Sequence, residues 1–329
     1  MQRLVSWILT ALCVVTAGAA AAQDKFPTRP IKIIVAFAPG SATDVTARLL
    51  AEHMRPIVGQ NVLVENKPGA FGIVAIEEMA RAKPDGHTVM IGNVSTSALT
   101  PRLYRKLFSI DYEKEVTPVS RVSVLPGFWM ISPKHLPVKT LPEFIAYAKQ
   151  RPGQIRYSTT GVGAFTHYEA EVFSRRAGIE MVHIPMKEGP PAMVRDMLTG
   201  DIHIASMTMP TAAGLVSAGQ LRPLAVVTEQ RVPEYPDVPT MAELGFPRVG
   251  TPNWSMMFAP AATPRPVLEA LHAAVSKTLN SDGLKEAYRK QLIYPTPSAS
   301  LEDTQQWLKT EMERWARVMN EVKIEIDSH

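Results

Sequence analysis

The sequence predicts an α/β protein with two lobes, and three observations lead to this prediction. Apolar, β-branched runs alternate with segments of helical spacing, a pattern typical of parallel sheets covered by helices. The alternation begins a second time near the middle of the chain. The 329 residues, 46% of them hydrophobic, are enough for two domains with cores that need no disulfides or metals.

The first module is predicted from the continuous β-branched run at residues 31–37, which is interrupted by Ala38-Pro39-Gly40. Turns rich in glycine and proline then separate the remaining segments of this half. The pattern predicts the order β-α-β-α-β, with strands at 31–37, 62–65 and 88–91 and helices at 43–54 and 72–82.

The second module follows the same logic and ends in a helical tail. Thr140-Leu141-Pro142-Glu143 has the spacing of a capping box and predicts a helix start. The predicted strands are 127–131, 155–158, 181–185, 202–206 and 224–227. After the segment 254–259, the predicted helices of the tail are 264–279, 281–291 and 301–322, and those before it are 141–150, 166–177 and 191–198. Segments 119–126 and 248–254 are expected to cross between the lobes.

The first 22 residues have the layout of a secretory signal peptide. Arg3 precedes an apolar run at 4–17, and small residues follow as far as Ala22, where we expect cleavage. The alternative is an uncleaved anchor, but the run is short for a membrane span. Cys13 lies inside the run, which argues against a lipoprotein, and the mature chain then has no cysteine. We expect a periplasmic protein with lobe 1 at 23–124, lobe 2 at 125–250 and a return to lobe 1 at 251–329.

Charge and motifs exclude several function classes. The formal charge of +4 (35 basic minus 31 acidic residues) is spread along the chain and does not predict nucleic-acid binding. The histidines have no metal-ligand spacing and no G-x-S-x-G motif occurs, so we expect no enzyme, metal or cofactor. Gly161-Val162-Gly163 resembles a dinucleotide fingerprint, but Thr166 stands at the third glycine position.

Two glycine-containing loops, 37–44 and 158–167, each join a predicted strand to a predicted helix. Ligands of open α/β sheets bind beyond the carboxyl ends of the strands, where helix N-termini offer free N–H groups to anions. The alternative is that each loop is an ordinary turn with a helix cap. His167 in particular could either contact a ligand or cap its helix. The predicted ligand contacts are Phe37, Pro39, Gly40, Ser41, Thr43, Asp44, Phe71, Asn93, Ser158, Thr160, Gly161, Gly163, Ala164, Phe165, His167 and Met207.

Eight stretches in a fixed order resemble the substrate-binding proteins of tripartite tricarboxylate transporters, the TctC or Bug family. They are residues 26–31, 37–44, 64–70, 84–88, 160–167, 182–185, 236–243 and 314–316. The resemblance implies a type II periplasmic-binding-protein fold, with two Rossmann-like lobes that close on a ligand in the cleft. It also implies a receptor that captures a small carboxylate and delivers it to a membrane permease. We expect a monomer and a di- or tricarboxylate ligand or, because Phe71 and Phe165 suit an aromatic body, an aromatic carboxylate.

Three residues depart from the family pattern. Ser41 stands where a second glycine is common, and Glu188 replaces a frequent glycine near the cleft. Met207 occupies a position where some members have an aspartate that meets an amino group, so a ligand without an amine is expected. Two alternatives remain open: a ligand-sensing subunit for a membrane signalling protein, and an exported hydrolase on the same scaffold.

Overall fold

The computed structural model describes residues 26–186 and 188–324, which form two lobes that are each built on one mixed β-sheet. The predicted signal peptide and Cys13 lie outside the described residues. The strands are β1 (Ile31–Val35), β2 (Val62–Asn66), β3 (Thr88–Asn93), β4 (Val116–Leu125), β5 (Gly127–Ile131), β6 (Ile155–Thr159), β7 (Met181–Pro185), β8 (Ile204–Thr208), β9 (Arg222–Val226), β10 (Asn253–Pro260) and β11 (Tyr294–Pro295).

Helices cover the faces of both sheets. Those of eight residues or more are α1 (Ala42–Val58), α2 (Ile73–Ala80), α3 (Leu141–Lys149), α4 (Phe165–Ala177), α5 (Pro190–Thr199), α6 (Met209–Ser217), α7 (Arg265–Asn280), α8 (Asp282–Arg289) and α9 (Leu301–Glu321). Shorter helical turns occur at Ala70–Gly72, Ser95–Leu99, Thr100–Leu103, Arg105–Leu107 and Tyr112–Glu115.

The first sheet has the strand order β11-β4-β10-β3-β1-β2. Strands β1, β2 and β3 are parallel to each other, as the βαβ pattern predicts. Strand β10 lies between β3 and β4 and is antiparallel to both. This sheet therefore takes strands from both ends of the described chain, which places β10 and the helices that follow it in the first lobe.

The second sheet has the order β7-β6-β8-β5-β9, and β6 is parallel to both of its neighbours. Strand β5 pairs antiparallel with β8 and with β9. Each sheet therefore combines the parallel βαβ core that the sequence predicts with antiparallel strands.

The helices begin and end where local chemistry requires it. Ser41 caps α1 by accepting a hydrogen bond from the Asp44 N–H, and Gly59 ends the helix in the left-handed conformation at φ 69°. Between these caps Ala47, Leu50 and Met54 are buried at helical spacing against the first sheet. The two caps therefore set the ends of α1, and the buried residues set the face that it packs against the sheet.

Two crossings connect the lobes. The chain leaves the first sheet after Leu125 and enters the second at Gly127, and it returns at Asn253, which pairs with Leu125. The first crossing was predicted as a linker at 119–126, but most of that segment belongs to β4. No local pattern predicts this strand, because Pro118 and Arg121 interrupt its apolar residues and its pairing partner β10 is distant in sequence.

A buried carboxylate lies at the second crossing. Glu169 of α4 accepts a hydrogen bond from the backbone N–H of Thr251. Arg314 of α9 donates to the Thr251 hydroxyl over 2.7 Å and pairs with Glu311, which accepts from the indole N–H of Trp254. Burial raises the pKa of Glu169 to about 8, despite the opposing effects of the Thr251 N–H and Arg314. The carboxyl group is therefore held neutral at pH 7.

Candidate ligand site between the lobes

The loop from β1 to α1 is held by the carboxylate of Asp44. This carboxylate accepts hydrogen bonds from the Gly40 N–H, the Arg48 guanidinium and the Asn66 amide. Burial has the largest single effect and raises the pKa of Asp44, but these bonds and the Arg48 charge together outweigh it and hold the pKa below its usual value. Ala42 and Thr43 begin α1, so their N–H groups have no partner within the helix and can meet an anion.

The loop from β6 to α4 is held by two histidines. The imidazole Nδ1 of His167 accepts from the Gly163 N–H over 3.2 Å. The ring of His183 stacks on that of His167 with centroids 3.8 Å apart, and its Nε2 is hydrogen-bonded to the Thr159 hydroxyl. Burial lowers the pKa of His183 to about 4. Burial and the neighbouring His183 lower that of His167 to about 3. Both rings are therefore neutral at pH 7 and serve to position the loop.

A cavity of about 70 Å³ lies between the two loops, at the carboxyl ends of strands from both lobes. It is lined by Phe37, Ser41, Ala42, Thr43, Asn93, Ser95, Gly127, Thr160, Phe165, Thr166, Pro190, Met193, Ser206, Met207, Thr208, Thr211 and Asn253. None of these described residues carries a charge. The polar residues among them are serines, threonines and two asparagines, and four of the lining residues belong to the first turns of α1 and α4.

An outer chamber of about 410 Å³ adjoins this cavity and shares Phe37, Ser95, Thr160 and Pro190 with it. The rings of Phe71 and Tyr104 form one wall, stacked with centroids 4.0 Å apart. The exposed residue Glu188 also lines this chamber. The outer chamber is therefore largely apolar, with one acidic side chain at its wall.

Of the hydrogen bonds that join the lobes in the described part of the chain, two lie beside the cavity and the outer chamber. The Ser95 hydroxyl, from the first lobe, accepts from the N–H of Phe165, the first residue of α4, over 3.2 Å. The Tyr104 hydroxyl donates to the carbonyl of Val162 in the second lobe, also over 3.2 Å. These contacts hold the lobes against each other around the cavity.

We expect Tyr104→Phe to shift the unliganded protein toward a more open cleft. The substitution removes one hydrogen bond, worth about 0.5–1.5 kcal/mol, but keeps the ring that stacks on Phe71. Small-angle X-ray scattering should show a larger radius of gyration than for the wild type. Tyr147→Phe, on α3 of the second lobe, is the matched control and should leave the scattering unchanged. Equal scattering by Tyr104→Phe and the wild type would mean that this bond does not hold the lobes together.

The structure brings together most of the predicted site residues. Seven of them line the cavity: Phe37, Ser41, Thr43, Asn93, Thr160, Phe165 and Met207. Phe71, Gly161, Gly163 and Ala164 line the outer chamber, as do Phe37 and Thr160. Pro39, Gly40, Asp44, Ser158 and His167 are not among the described residues that line either space.

Three of these five residues, Asp44, Ser158 and His167, use their side chains for hydrogen bonds within the protein. The Ser158 hydroxyl donates to the Ile184 carbonyl, and His167 and Asp44 hold their own loops. Of the two alternatives for His167, the geometry favours the structural one. Several polar residues that line the cavity were not among the predicted contacts: Ser95, Thr166, Ser206, Thr208, Thr211 and Asn253. Ser206 and Thr208 could have been found, because they end a strand at the edge where such sheets bind ligands.

Neither a metal site nor a membrane-spanning helix is found in the described part of the chain. No group of three or more histidine, cysteine, aspartate or glutamate residues among residues 26–186 and 188–324 is arranged to hold a metal ion. Over the same residues, no helix combines the length and apolar character that crossing a bilayer requires.

Two mixed-sheet lobes with a cavity between opposed strand–helix loops define a solute-binding protein. A family model described as the tripartite tricarboxylate transporter family receptor matches residues 46–324. The chain belongs to this family of periplasmic solute-binding receptors, and it has the periplasmic-binding-protein fold.

The chain is similar to other proteins of this group along nearly its whole length. It is 34% identical over 325 residues to Protein BugT of Bordetella pertussis, which covers 98% of each chain. It is 32% identical to R. palustris Rpa4515, solved with adipate, with a TM-score of 0.84 over 90% of this chain and 97% of that one. MatC from Rhodopseudomonas palustris, solved with bound malate, is 27% identical with a TM-score of 0.80, covering 89% of this chain and 99% of MatC.

Proposed function

We propose that this protein captures a small, amine-free carboxylate in the cavity between its lobes and delivers it to a membrane permease. The observation that carries the proposal is the convergence of two helix N-termini on a cavity whose described lining residues are all neutral. Free N–H groups and helix dipoles favour an anion there without a lysine or arginine. The adipate and malate bound by two similar proteins support the same ligand class.

The permease partner is supported by the family to which the chain belongs, whose members are described as transporter receptors. We propose residues 1–22 as a cleaved export signal, 23–124 and 251–329 as lobe 1, and 125–250 as lobe 2. Hinge motion at the two crossings then closes the lobes on the ligand, and the closed form is the one presented to the permease. Binding and release need no bond to be made or broken, which is consistent with a receptor.

A thermal-shift screen of the mature protein tests the ligand class. The panel contains propionate, succinate, glutarate, adipate, tricarballylate and benzoate, each with its uncharged amide as the matched control. A ligand at 100 times its Kd stabilises the folded state by about 2.7 kcal/mol, and each kcal/mol raises Tm by roughly 2–4 °C in a chain of this size class. We expect at least one acid to raise Tm while its amide does not. A panel in which only sugars or amides raise Tm would overturn the proposal.

A further inference from the structure

The surface of the first lobe beside the cleft carries three exposed apolar side chains. Phe71, Val74 and Leu107 are 48%, 47% and 51% exposed, and the other large hydrophobic residues exposed in the described part of the chain are Leu63 and Val182. Exposed apolar residues that occur singly are ordinary, but a cluster bordered by polar groups is typical of a protein–protein interface.

Phe71 and Leu107 are connected through Tyr104. The Phe71 ring stacks on the Tyr104 ring, and the Leu107 N–H donates to the Tyr104 carbonyl over 2.8 Å. Phe71 has a left-handed backbone, with φ 57° and ψ 22°, which is unfavourable for a residue with a side chain. Strained conformations of this kind are concentrated at functional sites.

Val74 lies on the same surface. Val74 and Glu77 are three residues apart in α2, so they share one face of the helix. The Glu77 carboxylate accepts hydrogen bonds from the N–H and the hydroxyl of Ser109, both over 2.6 Å. This face of α2 therefore lies against the segment that carries Leu107.

Three basic residues lie next to the apolar cluster. Arg102, Arg105 and Lys106 are exposed, and their side chains form no ion pair with a described residue, whereas nearby Lys114 pairs with Asp111 over 2.9 Å. The hydrogen bond from Lys114 is the largest cause of the lowered pKa of Asp111, and the Arg105 charge contributes less. Unpaired cations side by side favour an acidic partner.

A groove of about 460 Å³ extends from these residues. Arg102 and Arg105 line it together with the apolar residues Phe108, Ile110 and Met312. It shares no described lining residue with the cavity or the outer chamber, so it is separate from the candidate ligand site. Its lining fits an apolar side chain that is flanked by acidic groups.

The same surface adjoins the contact that closes the cleft. Tyr104, which supports the Phe71 ring, donates to the Val162 carbonyl of the second lobe. Opening of the cleft breaks this bond. A partner on this surface therefore lies next to a contact that distinguishes the closed form from an open one.

The chemistry of the surface favours one kind of partner. A second copy related by a two-fold axis would place the same basic residues opposite each other, which is repulsive. An anionic membrane would be repelled by Asp111 and Glu113, which also line the groove. A protein segment with apolar side chains between aspartates or glutamates matches both the apolar cluster and the basic residues.

We propose that this surface, which we call the docking surface, binds an acidic segment of the permease that carries exposed apolar side chains. The docking surface consists of Phe71, Val74, Leu107, Arg102, Arg105 and Lys106. The inference rests on the proposed function, because it assigns the part of the receptor that meets the permease.

Uptake by whole cells separates docking from ligand capture. The gene in the source organism is replaced by Arg102→Glu/Lys106→Glu or by Val74→Ser/Leu107→Ser, and uptake of the acid that most raises Tm in the screen is measured. We expect each variant to lower the initial rate at least about tenfold, because the first repels an acidic partner and the second removes apolar contacts. Both purified variants should bind that acid with a Kd within about twofold of the wild type, because none of these residues lines the cavity or the outer chamber.

Lys277→Glu/Lys285→Glu and Leu63→Ser/Val182→Ser are the matched controls. Lys277 and Lys285 are exposed on α7 and α8 and form no ion pair with a described residue. Leu63 and Val182 are exposed on the edge strands β2 and β7. Both controls should take up the acid at the wild-type rate.

Photocrosslinking in the same cells identifies the partner. Benzoylphenylalanine in place of Leu107 should give a product that mass spectrometry identifies as a permease subunit, and the same group in place of Leu63 should not. A product with a second copy of this chain would overturn the proposal. So would binding of the wild type to phosphatidylglycerol vesicles that Arg102→Glu/Lys106→Glu abolishes, because the surface would then belong to lipid.

The outcomes distinguish this inference from the proposed function. Normal uptake by both variants would exclude the docking surface and leave the carboxylate receptor standing. If no acid binds the wild type, or if deletion of the gene leaves uptake unchanged, the proposed function fails and the docking surface fails with it.

Discussion

Ala42→Asp should abolish carboxylate binding and leave the fold at least as stable as in the wild type. Ala42 is the first residue of α1 and lines the cavity. An aspartate there stabilises the helix through its dipole but places a negative charge beside the anion site. Two like charges about 4 Å apart repel by about 4 kcal/mol at an effective dielectric of 20, so affinity should fall by at least about a hundredfold.

Ala42→Asn separates charge from bulk, because it adds a side chain of the same shape without the charge. We expect this variant to keep most of the affinity that Ala42→Asp loses, as measured by calorimetry with whichever acid binds the wild type. Raising the salt concentration should restore little binding to the aspartate variant, because the two charges would lie closer together than the screening length of the solution. Equal losses in the two variants would show that bulk, and not charge, blocks the cavity.

The wild-type protein should become less stable as the pH rises, and Glu169→Gln should prevent this decrease. The Glu169 carboxyl is fully buried, and its pKa is raised to about 8 from a usual value near 4.5. Folding therefore favours the neutral form. The stability contributed by this group is complete below about pH 4.5 and is lost progressively as the pH rises to about 8. The loss is on the order of 3–5 kcal/mol by pH 8.

Glutamine imitates the neutral carboxyl, because its oxygen still accepts from the Thr251 N–H. Urea unfolding between pH 5 and pH 8.5 should therefore show that the variant and the wild type are similar at the acidic end and that the variant is more stable at the alkaline end. Glu52→Gln, at an exposed position on α1, is the control and should follow the wild-type curve. Parallel curves for Glu169→Gln and the wild type would show that Glu169 ionises freely in the folded protein.

Local patterns were sufficient to predict much of the fold. Strands β5 and β7 have the predicted limits, and the Thr140 capping box begins α3 as expected, with the Thr140 side chain accepting from the Glu143 N–H. Helix α6 was missed because it is short and contains both Pro210 and Gly214, which weaken any helical pattern. Strand β4 was missed because its stability comes from pairing with β10, a contact that no local pattern reveals.

The site could be predicted only in part, for a related reason. Ser41 and Thr160 could be predicted from the local sequence, because glycine and hydroxyl residues directly after a strand are typical of an anion-binding loop. Asn253 and Ser206 reach the cavity only through the relative placement of two sheets, which depends on both crossings. Asp44 was predicted as a ligand contact because it lies in the correct loop. Its carboxylate instead accepts hydrogen bonds from the Gly40 N–H and the Asn66 amide, which hold that loop in place.

The position of β10 has a consequence for how the chain acquires its structure. Strand β10 fills the space between β3 and β4, yet it is synthesised after the whole of the second sheet. A chain that emerges N-terminus first therefore exposes two unpaired strand edges in its first half while β5 to β9 can already assemble from contiguous sequence. We expect the second lobe to fold first, and the first lobe to stay open to chaperones until residues 253–260 arrive.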